Sequence, residues 1–109
     1  MDGYTLITGG AGFIGSNYAA RCLARGEKVL IFDNLSRNGA DLNIEWLSDK
    51  YGRESFTLVK GDVREADEIR KAAKGAVRII HLAGQVAVTT SVKDPRTDFE
   101  INAMGTFNT

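Results

Sequence analysis

Apolar and polar positions alternate along this chain with two periods, one for strands and one for helices. Residues 4–8 (YTLIT), 28–32 (KVLIF), 56–60 (FTLVK) and 77–82 (VRIIHL) are short β-rich runs. Between them the spacing turns helical. Residues 13–25 set Ile14, Tyr18 and Cys22 four apart, with Ala19 and Leu23 beside them. Residues 40–51 carry Leu42, Trp46, Leu47 and Tyr51, and residues 65–74 form a short charged helix with Ala66, Ile69 and Ala73 inward. Asp94-Pro95 then opens a last helix, on which Phe99, Ala103 and Phe107 repeat every four residues.

Strands that alternate with helices predict an α/β fold, a Rossmann-type doubly wound parallel sheet with right-handed crossovers. The expected strand order is 3-2-1-4. A complete fold of this type has about six strands. Only four are read here, and the last helix runs to Thr109 without a stop signal. The expectation is therefore that residues 1–109 are the N-terminal portion of a dinucleotide-binding domain, truncated after the fourth strand and its following helix, with no substrate domain. The bare flank of the fourth strand would then be an association hazard.

Composition narrows the function. Lys and Arg total 14 against 14 Asp and Glu, so the formal net charge is zero. Bulk attraction to nucleic acid or an anionic membrane is not the business of such a chain. Cys22 is the only cysteine and has no Cys or His at metal-ligand spacing, so no disulfide or metal site is expected. The N-terminus lacks a signal-peptide pattern, and the longest apolar run, residues 29–32, falls far below the roughly 18 needed to span a bilayer. A cytoplasmic protein is expected.

Glycine is enriched, 12 of 109 residues, and its placement carries the chemistry. Gly9-Gly10-Ala11-Gly12-Phe13-Ile14-Gly15 follows a predicted strand and opens a predicted helix. Glycines there allow a tight turn and close backbone approach to a pyrophosphate, which the helix N-terminus attracts. Asp33 ends the second strand, where a carboxylate can accept both adenosine-ribose hydroxyls and repel a 2′-phosphate. That favours NAD over NADP, although Arg37 stands near enough in sequence to accommodate such a phosphate. After the third strand, Asp62 and Val63 either read an adenine edge or simply begin a helix, with Asp62 as its cap. After the fourth, Leu82, Ala83, Gly84 and Gln85 permit close cofactor approach, and His81 reads as a packed strand residue.

Taken together, TGGAGFIGSN, DNLSR, GDVR, HLAG, SVKDP and NAMGT resemble the extended short-chain dehydrogenase/reductase family of NAD-dependent nucleotide-sugar epimerases and dehydratases. The resemblance implies pyrophosphate contacts from Gly9, Gly12, Phe13, Ile14 and Gly15, and ribose contacts from Asp33 and Asn34 with Ser36 and Arg37 nearby. It further implies Asp62 and Val63 at adenine, and Leu82 to Gln85 along the cofactor. Thr89, Thr90 and Ser91 would begin a sugar pocket, a solvated loop being the alternative, and Asn102 would tie its helix to the neighbouring strand. Residues 33–48 and 81–102 are most similar to members that act at C2 of a CDP-linked dideoxyhexose. The full-length parent of this chain would be a homo-oligomer.

One departure matters. The family transfers protons through Tyr-x-x-x-Lys, whereas four residues beyond Tyr4, Tyr18 and Tyr51 stand Thr8, Cys22 and Ser55. The chain by itself is therefore expected to be inactive, with no catalytic residue of its own. Two classes follow: the NAD-binding portion of a nucleotide-sugar epimerase or dehydratase, or a standalone NAD(P)-binding module without catalysis.

Overall fold

The computed structural model describes residues 3–36 and 39–83. Four strands, β1 (Tyr4–Thr8), β2 (Val29–Asp33), β3 (Thr57–Lys60) and β4 (Ala76–His81), form one sheet in the order β3-β2-β1-β4. All pairs are parallel. Helices α1 (Phe13–Ala24), α2 (Ala40–Tyr51) and α3 (Ala66–Ala73) are the crossovers. A single 3₁₀ turn, Arg53–Ser55, which the periodicity did not reveal, precedes β3.

The strand order is the predicted one, and its cause is visible in burial. All five residues of β1 are buried, because this strand lies between two neighbours with helices on both faces. Ile7, Val29, Ile31, Ala19, Cys22 and Leu47 form the core beneath α1 and α2. On the opposite face Tyr4, Leu6, Leu30, Phe32, Val63 and Ile69 form the core beneath α3. Element ends move by a residue or so. β2 extends to Asp33, which pairs with Lys60 of β3, and a register shift beside Tyr4 starts β4 at Ala76.

The helix faces need larger corrections. The helical spacing puts Ile14, Leu42 and Trp46 on the apolar stripes of α1 and α2, but they are 67%, 69% and 41% exposed. α1 instead buries Gly15, Ser16, Ala19, Ala20 and Cys22. Small side chains let the helix lie close on the sheet, so size outranks hydrophobicity on that face. Trp46 stands outside with the Lys50 ammonium 5.4 Å from its ring centroid. On α3, Ala72 is buried beside Ile69, while the expected Ala66 and Ala73 are half-buried. Among the described residues, no helix is long and apolar enough to cross a membrane. The helix expected after Pro95 lies outside them.

Candidate functional site

β1 lies between β2 and β4, and the chain crosses away from it in opposite directions. The carboxyl ends beside β1 are thus the topological switch point of the sheet, where open α/β sheets bind ligands. The glycine loop leaves β1 there. Gly9 N–H donates to the Phe32 carbonyl at 2.8 Å, Gly12 N–H to the Gly9 carbonyl at 3.1 Å, and Ser16 N–H to Gly12 at 2.9 Å. Gly12 is the N-cap of α1. The N–H groups of Phe13, Ile14 and Gly15 consequently have no acceptor within the helix, at the positive end of its dipole.

The glycines do different jobs. A Cβ on Gly15 would stand 2.4 Å from the Gly9 carbonyl oxygen, so the helix can approach its own loop only with glycine there. Among the described residues, a Cβ on Gly12 would meet just that same oxygen, at 3.3 Å. The packing of the described residues demands little at Gly12.

Asp33 faces this loop from the end of β2. Its Oδ2 accepts the Ala11 N–H at 3.0 Å and its Oδ1 accepts the Leu35 N–H at 2.8 Å. Leu35 takes a left-handed conformation, φ 60°, held by that turn. Asn34 Oδ1 accepts from both the N–H and the hydroxyl of Ser36, at 3.1 and 2.8 Å. From α2, Asn43 Nδ2 donates to the Ala11 carbonyl at 2.7 Å. Ala11, fully buried, is thus gripped on both its peptide groups. The sequence reading missed Ala11 and Asn43. The available signal was an amide in the first turn of α2, where side chains of this type seek backbone partners.

The next corner joins on through Gly61 N–H, which donates to the Asp33 carbonyl at 3.1 Å. Asp62 Oδ1 accepts the Arg64 N–H at 2.9 Å, and Arg64 Nε and Nη2 grip Oδ2 at 3.0 and 2.6 Å. The Arg64 guanidinium holds this carboxyl below the usual carboxylate range. Asp62 does not cap α3, whose N-cap is Glu65 without a side-chain cap bond. Val63 is buried against the α3-side core. At the end of β4, Leu82 is exposed and Ala83 half-buried. Half-buried His81 lies with Nδ1 2.6 Å from the Thr8 hydroxyl, and burial pushes its pKa down.

The structure thus brings Gly9, Gly12, Phe13, Ile14, Gly15, Asp33, Asn34, Ser36, Asp62, Val63, Leu82 and Ala83 to one edge of the sheet. Arg37, Gly84, Gln85, Thr89, Thr90, Ser91 and Asn102 lie outside the described residues. Cys22 is buried within the core, its thiol pKa pushed up by burial. Among the described residues, no group of three or more His, Cys, Asp or Glu could hold a metal ion.

The family model described as GDP-mannose 4,6 dehydratase matches residues 6–109. The chain is 47% identical over 105 residues to CDP-paratose 2-epimerase of Salmonella typhi, covering 94% of this chain and 30% of that protein. It is 41% identical over 103 residues to UDP-glucose 4-epimerase of Mycolicibacterium smegmatis, covering 94% of this chain and 32% of the relative. The crystal structure of the Thermus thermophilus UDP-glucose 4-epimerase in complex with NAD superposes with a TM-score of 0.80 at 34% identity, over 96% of this chain and 32% of that one. The chain spans less than a third of the length of these relatives. It belongs to the GDP-mannose 4,6-dehydratase family of nucleotide-sugar enzymes, as the resemblance implied.

Proposed function

We propose that this family member is the NAD-binding portion of a nucleotide-sugar epimerase, the N-terminal part of a longer dinucleotide-binding domain. The observation that carries the reading is the Asp33–Ala11 bond. It sets a carboxylate beside a glycine loop and an open helix N-terminus, the arrangement an adenosine diphosphate needs. The residues fit the group: the space beside Gly12 takes a close-approaching pyrophosphate, and each Asp33 oxygen keeps a lone pair for a ribose hydroxyl.

On this reading Gly12, Phe13, Ile14 and Gly15 hold the pyrophosphate by their backbone, with Gly9 shaping the turn. Asp33, Asn34, Ser36 and Arg37 surround the ribose. Asp62 and Val63 flank adenine, and Leu82, Ala83, Gly84 and Gln85 follow the cofactor, with Thr89, Thr90 and Ser91 toward the sugar. When bound, NAD supplies reversible hydride acceptance at a sugar carbinol. The 109 residues contain no Tyr-x-x-x-Lys, so we assign them binding and orientation and not proton transfer.

The finer assignment is CDP-paratose 2-epimerase activity, inversion at C2 of a CDP-linked dideoxyhexose, in a cytoplasmic homo-oligomer. The 47% identity to such an enzyme supports it. The competing reading is a 4-epimerase, which the 41% identical relative represents. Calorimetric titration of the intact protein should give NAD tighter than NADP, and nuclear magnetic resonance of a CDP-linked dideoxyhexose incubated with it should show inversion at C2. Inversion at C4 of a UDP-hexose instead would select the 4-epimerase. Absence of NAD binding would overturn the cofactor assignment.

A further inference from the structure

We propose that Lys60 is a further determinant of cofactor choice, a cation beside Asp33 that partly offsets the exclusion of a 2′-phosphate by that carboxylate. The proposal rests on the dinucleotide reading of the site and names a residue which that reading leaves unused. Lys60 is the last residue of β3 and stands opposite Asp33 of β2 in the parallel register. Neighbouring strands lie about 4.8 Å apart, and residues in register project to the same face of the sheet. The packing of the preceding residues fixes which face. Ile31 and Leu58 belong to the core beneath α1 and α2, whereas Phe32 and Val59 belong to the core beneath α3. Asp33 and Lys60 therefore project toward the side of α1 and α2, where Asp33 meets Ala11. The Gly61 N–H, which donates to the Asp33 carbonyl at 3.1 Å, holds the two strand ends in this register.

The two charges are neighbours without being partners. Both Asp33 oxygens accept backbone N–H groups, from Ala11 at 3.0 Å and Leu35 at 2.8 Å, which aims the carboxylate at the glycine loop. Lys60 is exposed and forms no ion pair among the described residues. Its ammonium stands on a flexible four-carbon stem and is free to meet a charge arriving at the strand ends. An unphosphorylated ribose brings no charge there. A 2′-phosphate brings between one and two negative charges at neutral pH, and these feel repulsion from Asp33 and attraction from Lys60 at similar range. Discrimination against the phosphate is then a difference between two opposing effects, and Lys60 makes it smaller than Asp33 alone would.

Calorimetric titration of the intact protein with ADP-ribose and with its 2′-phosphate tests the role. Lys60→Gln should weaken the phosphorylated ligand about three- to tenfold and leave ADP-ribose within about twofold. Lys60→Arg should keep the wild-type ratio within about twofold, and Lys60→Glu should widen it beyond Lys60→Gln. The Lys60→Gln loss should shrink in high salt, which screens an exposed charge. It should persist in an Asp33→Asn background, because the ammonium acts on the phosphate directly. An unchanged ratio in Lys60→Gln, equal losses of both ligands, or a loss that vanishes with Asp33→Asn each overturns the role. If the wild type binds ADP-ribose but its 2′-phosphate too weakly to measure, there is no offset, and this proposal fails alone. If it binds neither, the dinucleotide reading fails and the proposal falls with it.

Discussion

Asp33 and Asp62 stand at the carboxyl ends of neighbouring strands and begin with the same local turn. Each accepts the backbone N–H two residues ahead through Oδ1, Leu35 at 2.8 Å in one case and Arg64 at 2.9 Å in the other. Their second oxygens then diverge. Oδ2 of Asp33 reaches Ala11, 22 residues back in sequence, and couples two loops of the site. Oδ2 of Asp62 is held by the guanidinium of Arg64, two residues away. Among the described residues, the first charge meets backbone N–H groups. The second is neutralised within its own turn. Identical side chains in identical turns therefore acquire different chemistry from what the second oxygen meets.

The largest expected effect breaks the first corner. On the proposed reading, Asp33→Ala removes a charged acceptor of ribose hydroxyls, worth roughly 1.5–3 kcal/mol per bond, and should weaken ADP-ribose binding at least about tenfold. The 2′-phosphorylated ligand should lose much less, because repulsion between like charges disappears with the carboxylate. Equal calorimetric losses for both ligands would remove Asp33 from the discriminating role. Next comes Asn43→Ala, which releases the Ala11 carbonyl. It should lower unfolding stability by about 1 kcal/mol and reduce ADP-ribose affinity by less than Asp33→Ala does. A stability loss with unchanged affinity would show that the grip on Ala11 serves the fold alone.

The second corner should respond chiefly to acid. The folded-state pKa of Asp62 lies below its ordinary 3.8, chiefly through the Arg64 side chain. Its stabilisation is complete above that ordinary value and is lost as pH falls through the lower folded one. Asp62→Asn should thus flatten the acid limb of a stability–pH curve below about pH 3.8, while leaving neutral-pH ligand discrimination with Asp33. Smallest is Arg64→Ala. The pair is partly exposed, 34% and 22%, so at neutral pH the loss should stay at or below about 1 kcal/mol. The acid limb should shift up with the freed carboxyl, and an unchanged limb would mean that Arg64 does not set the Asp62 pKa.

Much of this architecture was legible because its causes are local. The β-branched runs at residues 4–8 and 29–33 make buried strands wherever they fall, and strands alternating with helices leave few right-handed topologies. Helix faces were less legible. Periodicity identified a stripe on α1 and α2, but its members Ile14, Leu42 and Trp46 lie outside the buried face, since a sheet that accepts α1 closely selects Ala19, Ala20 and Cys22 by size. In the site, glycine spacing and the position of Asp33 marked the loop and the strand end. The local sequence could flag Asn43 as an amide in a first helical turn, but not its partner Ala11, nor Thr8 as the partner of His81, contacts that span 32 and 73 residues.

Backbone preferences and side-chain patterns within a few residues were enough to set the strands, the turns and a glycine loop ahead of an acidic strand end. Asp62 meets Arg64 within its own turn, but only folding of the sheet brings the Ala11 N–H to the second oxygen of Asp33. What each carboxylate becomes depends on the groups brought within about 3 Å of its second oxygen. Hydrogen bonds act over such distances alone, and parallel crossovers place their two ends tens of residues apart along the chain.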